Sequence, residues 1–142
     1  MESLLTYKGT VFPWHCDEMG HMNVMWYVGK FDEATRHFFH ELGITPAVVR
    51  EHKRGMAAVE QTIQYKRELQ AGDIVSVHSV LLEIKDRSVR FAHEMRKVDT
   101  GEIAATTTLT AVHFDTVARR ACAFPRQRER EGCSAVGVER RC

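Results

Sequence analysis

The 142-residue chain predicts an α+β domain in which a five-stranded antiparallel sheet wraps around one long central helix. Three observations predict it. One stretch, residues 24–42, carries a helical apolar period. The segments after residue 56 switch to a period of two. Turn signals then divide that second half at intervals of about fourteen residues. Strands with one apolar face pack on a helix in two layers. One helix cannot cover both faces of such a sheet, so the sheet is expected to continue into a second subunit.

The elements follow in order. LLTYKGTVF, residues 4–12, reads as the first strand. Pro13 would interrupt a central strand, so PWHCDEMGHMN, residues 13–23, is a loop. In residues 24–42, Val24, Tyr27, Val28, Phe31, Ala34, Phe38 and Leu42 recur at steps of three and four and form one apolar face. Asn23 stands at the N-cap and Gly43 at the position after the helix. Such a helix is a rod of about 28 Å, long enough to span a sheet. Pro46 blocks its continuation, and residues 45–55 are a connector with at most a short helical turn. Beyond it, Ala57, Val59, Gln61, Ile63 and Tyr65 alternate with Ala58, Glu60, Thr62, Gln64 and Lys66. Residues 73–84 place Val75, Val77 and Leu81 on one face, and residues 88–98 place Val89, Phe91 and Met95 on one face. Residues 102–115 form a Thr- and Ala-rich strand ending in VHF. AGD (71–73), KDR (85–87) and DTG (99–101) are the turns. The expected order is strand, helix, then four strands in a meander. The pattern stops after Phe124-Pro125.

Composition bounds the function classes. Apolar residues make up 44 % and charged residues 27 %, as in a water-soluble globular domain. No apolar run is long enough to cross a bilayer, so no membrane partner is expected. The first ten residues lack the basic start and apolar run of a signal peptide, which makes the cytoplasm the expected location. Cys16, Cys122, Cys133 and Cys142 include no CxxC pair, which argues against a disulfide framework or a cysteine zinc site. Residues 1–116 carry thirteen Lys/Arg against sixteen Asp/Glu, and residues 117–142 carry seven Arg against three Glu. An acidic body does not suit nucleic acid. We therefore expect one domain over residues 1–116 and an Arg-rich, poorly packed tail over 117–142.

The loop 13–23 concentrates the chemistry. A structural reading makes Gly20 a turn, Asn23 a cap and Trp14 and Met19 packing residues, with the acids favouring the positive helix end. A metal reading uses His15, Asp17 and His21. However, no HxxxH helix supports it, and His15 and Asp17 point to opposite sides of an extended loop, so no metal is expected. A third reading is acyl chemistry. A helix N-terminus presents unpaired backbone amides that can hold a thioester carbonyl oxygen as it gains negative charge. Asp17 lies seven residues before Val24, close enough to fold over the helix mouth and attack the carbonyl or activate a water. His21 and Asn23 can steer the carbonyl or the water, and Gly20 permits close backbone approach.

WHCDEMGHMN, followed by a helix bearing Tyr27, Phe31 and Ala34, resembles the hot-dog-fold acyl-CoA thioesterases of the 4-hydroxybenzoyl-CoA thioesterase type, whose loop reads like D-x-D-x-x-G-H-x-N. Ile63, Tyr65, Ala71-Gly72-Asp73 and Val75 resemble the family's second-to-third strand junction, and Arg87-Ser88 its next turn. The resemblance covers residues 4–116. It implies a hot-dog homodimer or homotetramer with sites at the subunit interface, and coenzyme A as part of the substrate with no separate cofactor. It implies Asp17 as nucleophile or general base and the Val24 amide as the oxyanion donor. His15 stands where many members have the first aspartate, and Val24 where many have a second asparagine.

Further substrate contacts are expected from Trp14, Gly20, Met22 and Tyr27 around the acyl group, from Glu60 across the subunit interface, and from Arg87 or Arg90 to the coenzyme A phosphates. Trp26 and Met56 are further candidates to shape the acyl pocket. The absence of a Walker loop and of GxGxxG gives no support to nucleotide hydrolysis or NAD binding. Two alternatives stay open: a non-catalytic acyl-CoA sensor, and an enoyl-thioester hydratase or dehydratase. Against the latter, the Asp17–His21 spacing is four and the expected proline is missing.

Overall fold

The long helix α1, Val24–Glu41, starts where Asn23 caps it: the Asn23 side chain accepts from the Met25 N–H. It ends at Leu42, and Gly43 takes a positive φ of 89° just beyond. The computed structural model describes residues 2–125. Around α1 lie β1 (Leu4–Thr10), a short α2 (Pro46–His52), β2 (Arg54–Tyr65), β3 (Ile74–Ile84), β4 (Ser88–Lys97), β5 (Ile103–Asp115) and a two-residue β6 (Arg120–Ala121). All strand pairs are antiparallel, in the order β1-β3-β4-β5-β2, with β6 paired to β5.

That order corrects the expected meander. Only β3, β4 and β5 run on as hairpins; β2 pairs with β5 at the far edge of the sheet. The reason lies in the connector 66–73, which crosses to the other edge and is pinned over the mouth of α1. The Met22 N–H donates to the Leu69 carbonyl at 2.7 Å, the Tyr27 hydroxyl to the Arg67 carbonyl at 3.1 Å, and the Gly72 N–H to the Val11 carbonyl at 2.8 Å. Leu69 is fully buried there.

α1 packs chiefly on β1, β3 and β4. Tyr27, Phe31, Ala34, Phe38 and Leu42 are buried as the periodicity predicts, whereas Val24 and Val28 are exposed. Lys30 is buried among the apolar positions because its Nζ donates to the Tyr7 hydroxyl at 3.0 Å and the Thr10 carbonyl at 3.3 Å and lies over the Tyr7 ring. The core has two lobes, one around Phe31, Val77 and Met95 near the start of α1, the other around Phe38, Phe91 and Leu109 near its end. Each fully buried side chain of this size stabilises the fold by roughly 1.5–3 kcal/mol.

A bulge between Ala58 and Glu60 resets the alternation of β2. Gln61 then lies opposite Leu109 and Ala58 opposite Ala111, both on the inner face, while Val59 is extra and exposed. The tail expected over 117–142 lies outside the described residues from 126 onward. Before that point the chain is part of the fold: β6 pairs with β5, and the Phe124 ring stacks on His113 at 4.6 Å. Among the described residues no helix is long and apolar enough to cross a membrane.

Candidate active site

The loop 13–23 closes on itself before it enters α1. Pro13–His15 make a single 3-10 turn, Cys16 and Met22 form an isolated bridge, and the Gly20 N–H donates to the Asp17 carbonyl at 3.0 Å. Gly20 has φ +79°, a conformation that a side chain would strain. This tight Ω-like turn delivers Asp17, His21 and Asn23 to one place.

Asp17 is held from two sides. Its Oδ2 accepts from the Asn23 side-chain amide at 2.9 Å, and its Oδ1 accepts from the Met19 N–H at 2.9 Å. The Asn23 amide first, and then the Met19 N–H, hold the Asp17 carboxyl below its ordinary pKa. The carboxylate is thus ionised at neutral pH and fixed in direction. Asn23 is fully committed: its oxygen caps α1 and its nitrogen serves Asp17. In the first turn of α1, Met25 N–H goes to that oxygen and Trp26 N–H to the Asn23 carbonyl, while among the described residues the Val24 N–H has no acceptor. The site therefore pairs an oriented carboxylate with a free amide at the positive end of a helix about 27 Å long. His21 completes it, its Nε2 3.6 Å from Asp17 Oδ1 and its Nδ1 3.0 Å from Glu68 Oε1.

Other expected residues fall elsewhere. Trp14 is exposed beside the loop and stacks on Phe12 at 4.6 Å. Met22 and Tyr27, expected to line the substrate, are core residues; Tyr27 braces the connector, edges onto Tyr65, and is pushed up to about 12 chiefly by burial. Glu60 lies opposite Thr110, which in turn lies opposite Arg90, so all three share the outer face of the sheet, away from α1. Gln61, in step with Ile63 and Tyr65, takes the inward position, donating to Thr107 Oγ1. Arg87 and Arg90 are exposed at the start of β4, the opposite end of the sheet from the loop; the strand spans about 33 Å, so one chain does not bring them to Asp17. His15 is a buried structural residue whose Nδ1 accepts from the Phe12 N–H; burial lowers its pKa, and it does not converge with Asp17 and His21.

Glu68 carries no signal in the sequence. It belongs to no motif, and only the path of the connector brings it, 47 positions along the chain, to His21. A second feature also escaped: an apolar groove of about 820 Å³ at the far end of α1, lined by Phe39, Val49, Met56, Ala58, Phe91 and Leu109.

The sequence model of the Thioesterase-like superfamily matches residues 11–131. The chain belongs to that superfamily. No curated protein matches it in sequence. Among solved structures, it is similar to a gentisyl-coenzyme A thioesterase at 28 % identity and a TM-score of 0.75, with 84 % of this chain and 94 % of that one covered. A Staphylococcus aureus protein solved in complex with CoA shares the fold at 22 % identity and a TM-score of 0.80, with 88 % and 79 % covered. A 1,4-dihydroxy-2-naphthoyl-CoA thioesterase from Synechocystis does so at 14 % identity and a TM-score of 0.75, with 91 % and 95 % covered. The expected hot-dog fold and thioester-hydrolase family are both borne out. For this thioesterase-like chain, the matched region begins at Val11 and so takes in the whole Asp17 loop and α1.

Proposed function

We propose that the protein hydrolyses an acyl-CoA thioester to the free acid and CoA. The observation that carries this reading is the pairing of Asp17 with the free Val24 N–H at the mouth of α1. The thioester carbonyl oxygen accepts from Val24 N–H, where negative charge building in the transition state meets the helix dipole. Asp17 either attacks the carbonyl carbon or takes a proton from a water that attacks it. In the first route the acyl group passes to Asp17 as a mixed anhydride while the C–S bond breaks and CoA leaves as the thiolate, and water then cleaves the anhydride to the free acid and Asp17. In the second the water oxygen enters the product directly as CoA leaves as the thiolate. Coenzyme A as the carrier is supported by the gentisyl-CoA and dihydroxynaphthoyl-CoA thioesterases that share the fold.

The working unit in this reading is a homodimer. β2 is an edge strand of 12 residues among the described residues, and an open edge of that length is a template for a second copy. Its Tyr65 end lies beside Tyr27 and the catalytic loop, and its Met56–Ala58 end lines the apolar groove. Antiparallel pairing of two β2 strands sets the loop of one protomer against the groove of the other. The same pairing brings the Arg87 and Arg90 end of one sheet toward the site of its partner.

The test is CoA release from a panel of acyl-CoAs, read with a free-thiol reagent. Asp17→Asn keeps the shape and removes the carboxylate, and it should lower kcat/KM at least about a hundredfold, roughly 2.7 kcal/mol of transition-state stabilisation. Acyl-CoA binding with no turnover by the wild type would instead mark a sensor.

A further inference from the structure

The connector 66–73 has no part in the motif of the loop, yet it places one acidic side chain against the site. Glu68 Oε1 lies 3.0 Å from His21 Nδ1. A carboxylate oxygen only accepts, so Nδ1 must donate, and the neutral ring then carries its lone pair on Nε2. That nitrogen faces Asp17 Oδ1 at 3.6 Å, too wide for a good direct hydrogen bond. Two acceptors at this spacing suit one water that donates a proton to each and keeps a lone pair free for a carbonyl carbon.

The backbone around Glu68 is well placed to make this contact repeatable. Arg67 N–H and Lys66 N–H both donate to the Ala104 carbonyl, at 3.0 and 2.8 Å. Leu69, the next residue, is fully buried, and its carbonyl takes the Met22 N–H from the residue after His21. The two segments that carry the Glu68–His21 pair are therefore tied together by a hydrogen bond one residue further on. Glu68 itself is 69 % exposed.

We propose that Glu68 is a positioning residue: it holds His21 in the Nδ1–H form with Nε2 turned to Asp17, so that the pair can orient the attacking water. This rests on the hydrolytic reading of Asp17, and it favours water activation over direct attack by the carboxylate. It also gives the connector a role in the site.

Two measurements test it. In ¹⁵N spectra of the full chain in mildly alkaline buffer, His21 should read as Nδ1-protonated in the wild type and as a mixture of tautomers in Glu68→Ala. In steady-state kinetics on the best acyl-CoA, Glu68→Ala should lower kcat roughly tenfold with KM unchanged, a fraction of what general acid–base catalysis contributes in full. Glu68→Gln keeps a carbonyl acceptor at the same reach and should restore most of the loss. Unchanged His21 signals in Glu68→Ala overturn the proposal. So does a Glu68→Gln as slow as Glu68→Ala, or a Glu68→Ala with wild-type kcat. An inert wild type in which the His21 tautomer still moves with Glu68 overturns the hydrolytic reading and leaves the Glu68–His21 coupling standing, so the two failures are distinct.

Discussion

Two histidines in this protein each sit between two polar side chains, and their surroundings are opposite. His93, on β4, is 1 % exposed. Its Nδ1 meets the Ser79 hydroxyl, which also meets Thr6 Oγ1 at 2.7 Å, and its Nε2 meets Thr35 Oγ1 at 2.8 Å on α1. Phe31 stacks on it, and Phe38 and Phe91 edge it. His21 is partly exposed and has carboxylates on either side, Asp17 and Glu68. Hydroxyl partners and aromatic walls keep the first ring fixed in the core, whereas the second ring is open to solvent and to a substrate. The first arrangement ties α1 to the sheet and joins the two core lobes. The second is suited to chemistry.

The strongest way to break this contrast is to remove His93. His93→Ala leaves the Ser79 and Thr35 hydroxyls short of a partner and opens a cavity among three phenylalanines. It should cost about 3–5 kcal/mol of stability by urea unfolding, judged from large-to-small core changes. A cost under about 1 kcal/mol would mean the chain is not structural.

Acid gives the same test without a mutation. Burial lowers the His93 pKa from 6.5 to about 4. Between those values the unfolded chain binds a proton that the folded one refuses, so stability is full above about pH 6.5 and falls as pH drops toward 4. The loss from this ring alone reaches roughly 3 kcal/mol. His113, also lowered mainly by burial, adds in the same direction. Unfolding curves from pH 7 to 4 should show the fall, and His93→Phe should flatten part of it.

The sequence shows the helix better than the site, and the reasons are particular. α1 is legible because Asn23 and Gly43 bracket a repeating apolar stripe and every one of those signals is local. The strands are legible one by one, but the place of β2 is not, since pairing with β5 depends on where a connector crosses and no residue in it says so. The bulge at Val59 is hidden for a similar reason: alternation looks unbroken until the partner strand is known, and it is Ala58 rather than Ala57 that joins the face of Gln61, Ile63 and Tyr65. In the site, Asp17, His21, Asn23 and Val24 are close in sequence, and one loop carries the signal for all of them. Met22 and Tyr27 show the limit of that closeness, because neighbours on a tight loop and on a helix point in different directions. Glu68 is invisible in one dimension.

The smallest expected effect separates the two jobs of Asn23. Asn23→Ala removes the cap on Met25 N–H and the amide that holds Asp17, and the lost cap should cost about 1 kcal/mol of stability. Asn23→Ser keeps a capping oxygen and removes the amide nitrogen that reaches Asp17, so stability should return. The Asp17 carboxyl would then lose the largest cause of its lowered pKa. As Asp17 must be ionised to act as nucleophile or base, the acid limb of the kcat/KM profile should move to higher pH in Asn23→Ser, while the wild-type limb lies lower. An Asn23→Ser enzyme with wild-type stability and an unmoved acid limb would show that Asn23 is a cap alone. The contrast between a histidine chain built for structure and one built for chemistry would then have to rest on His21 and Glu68 without it.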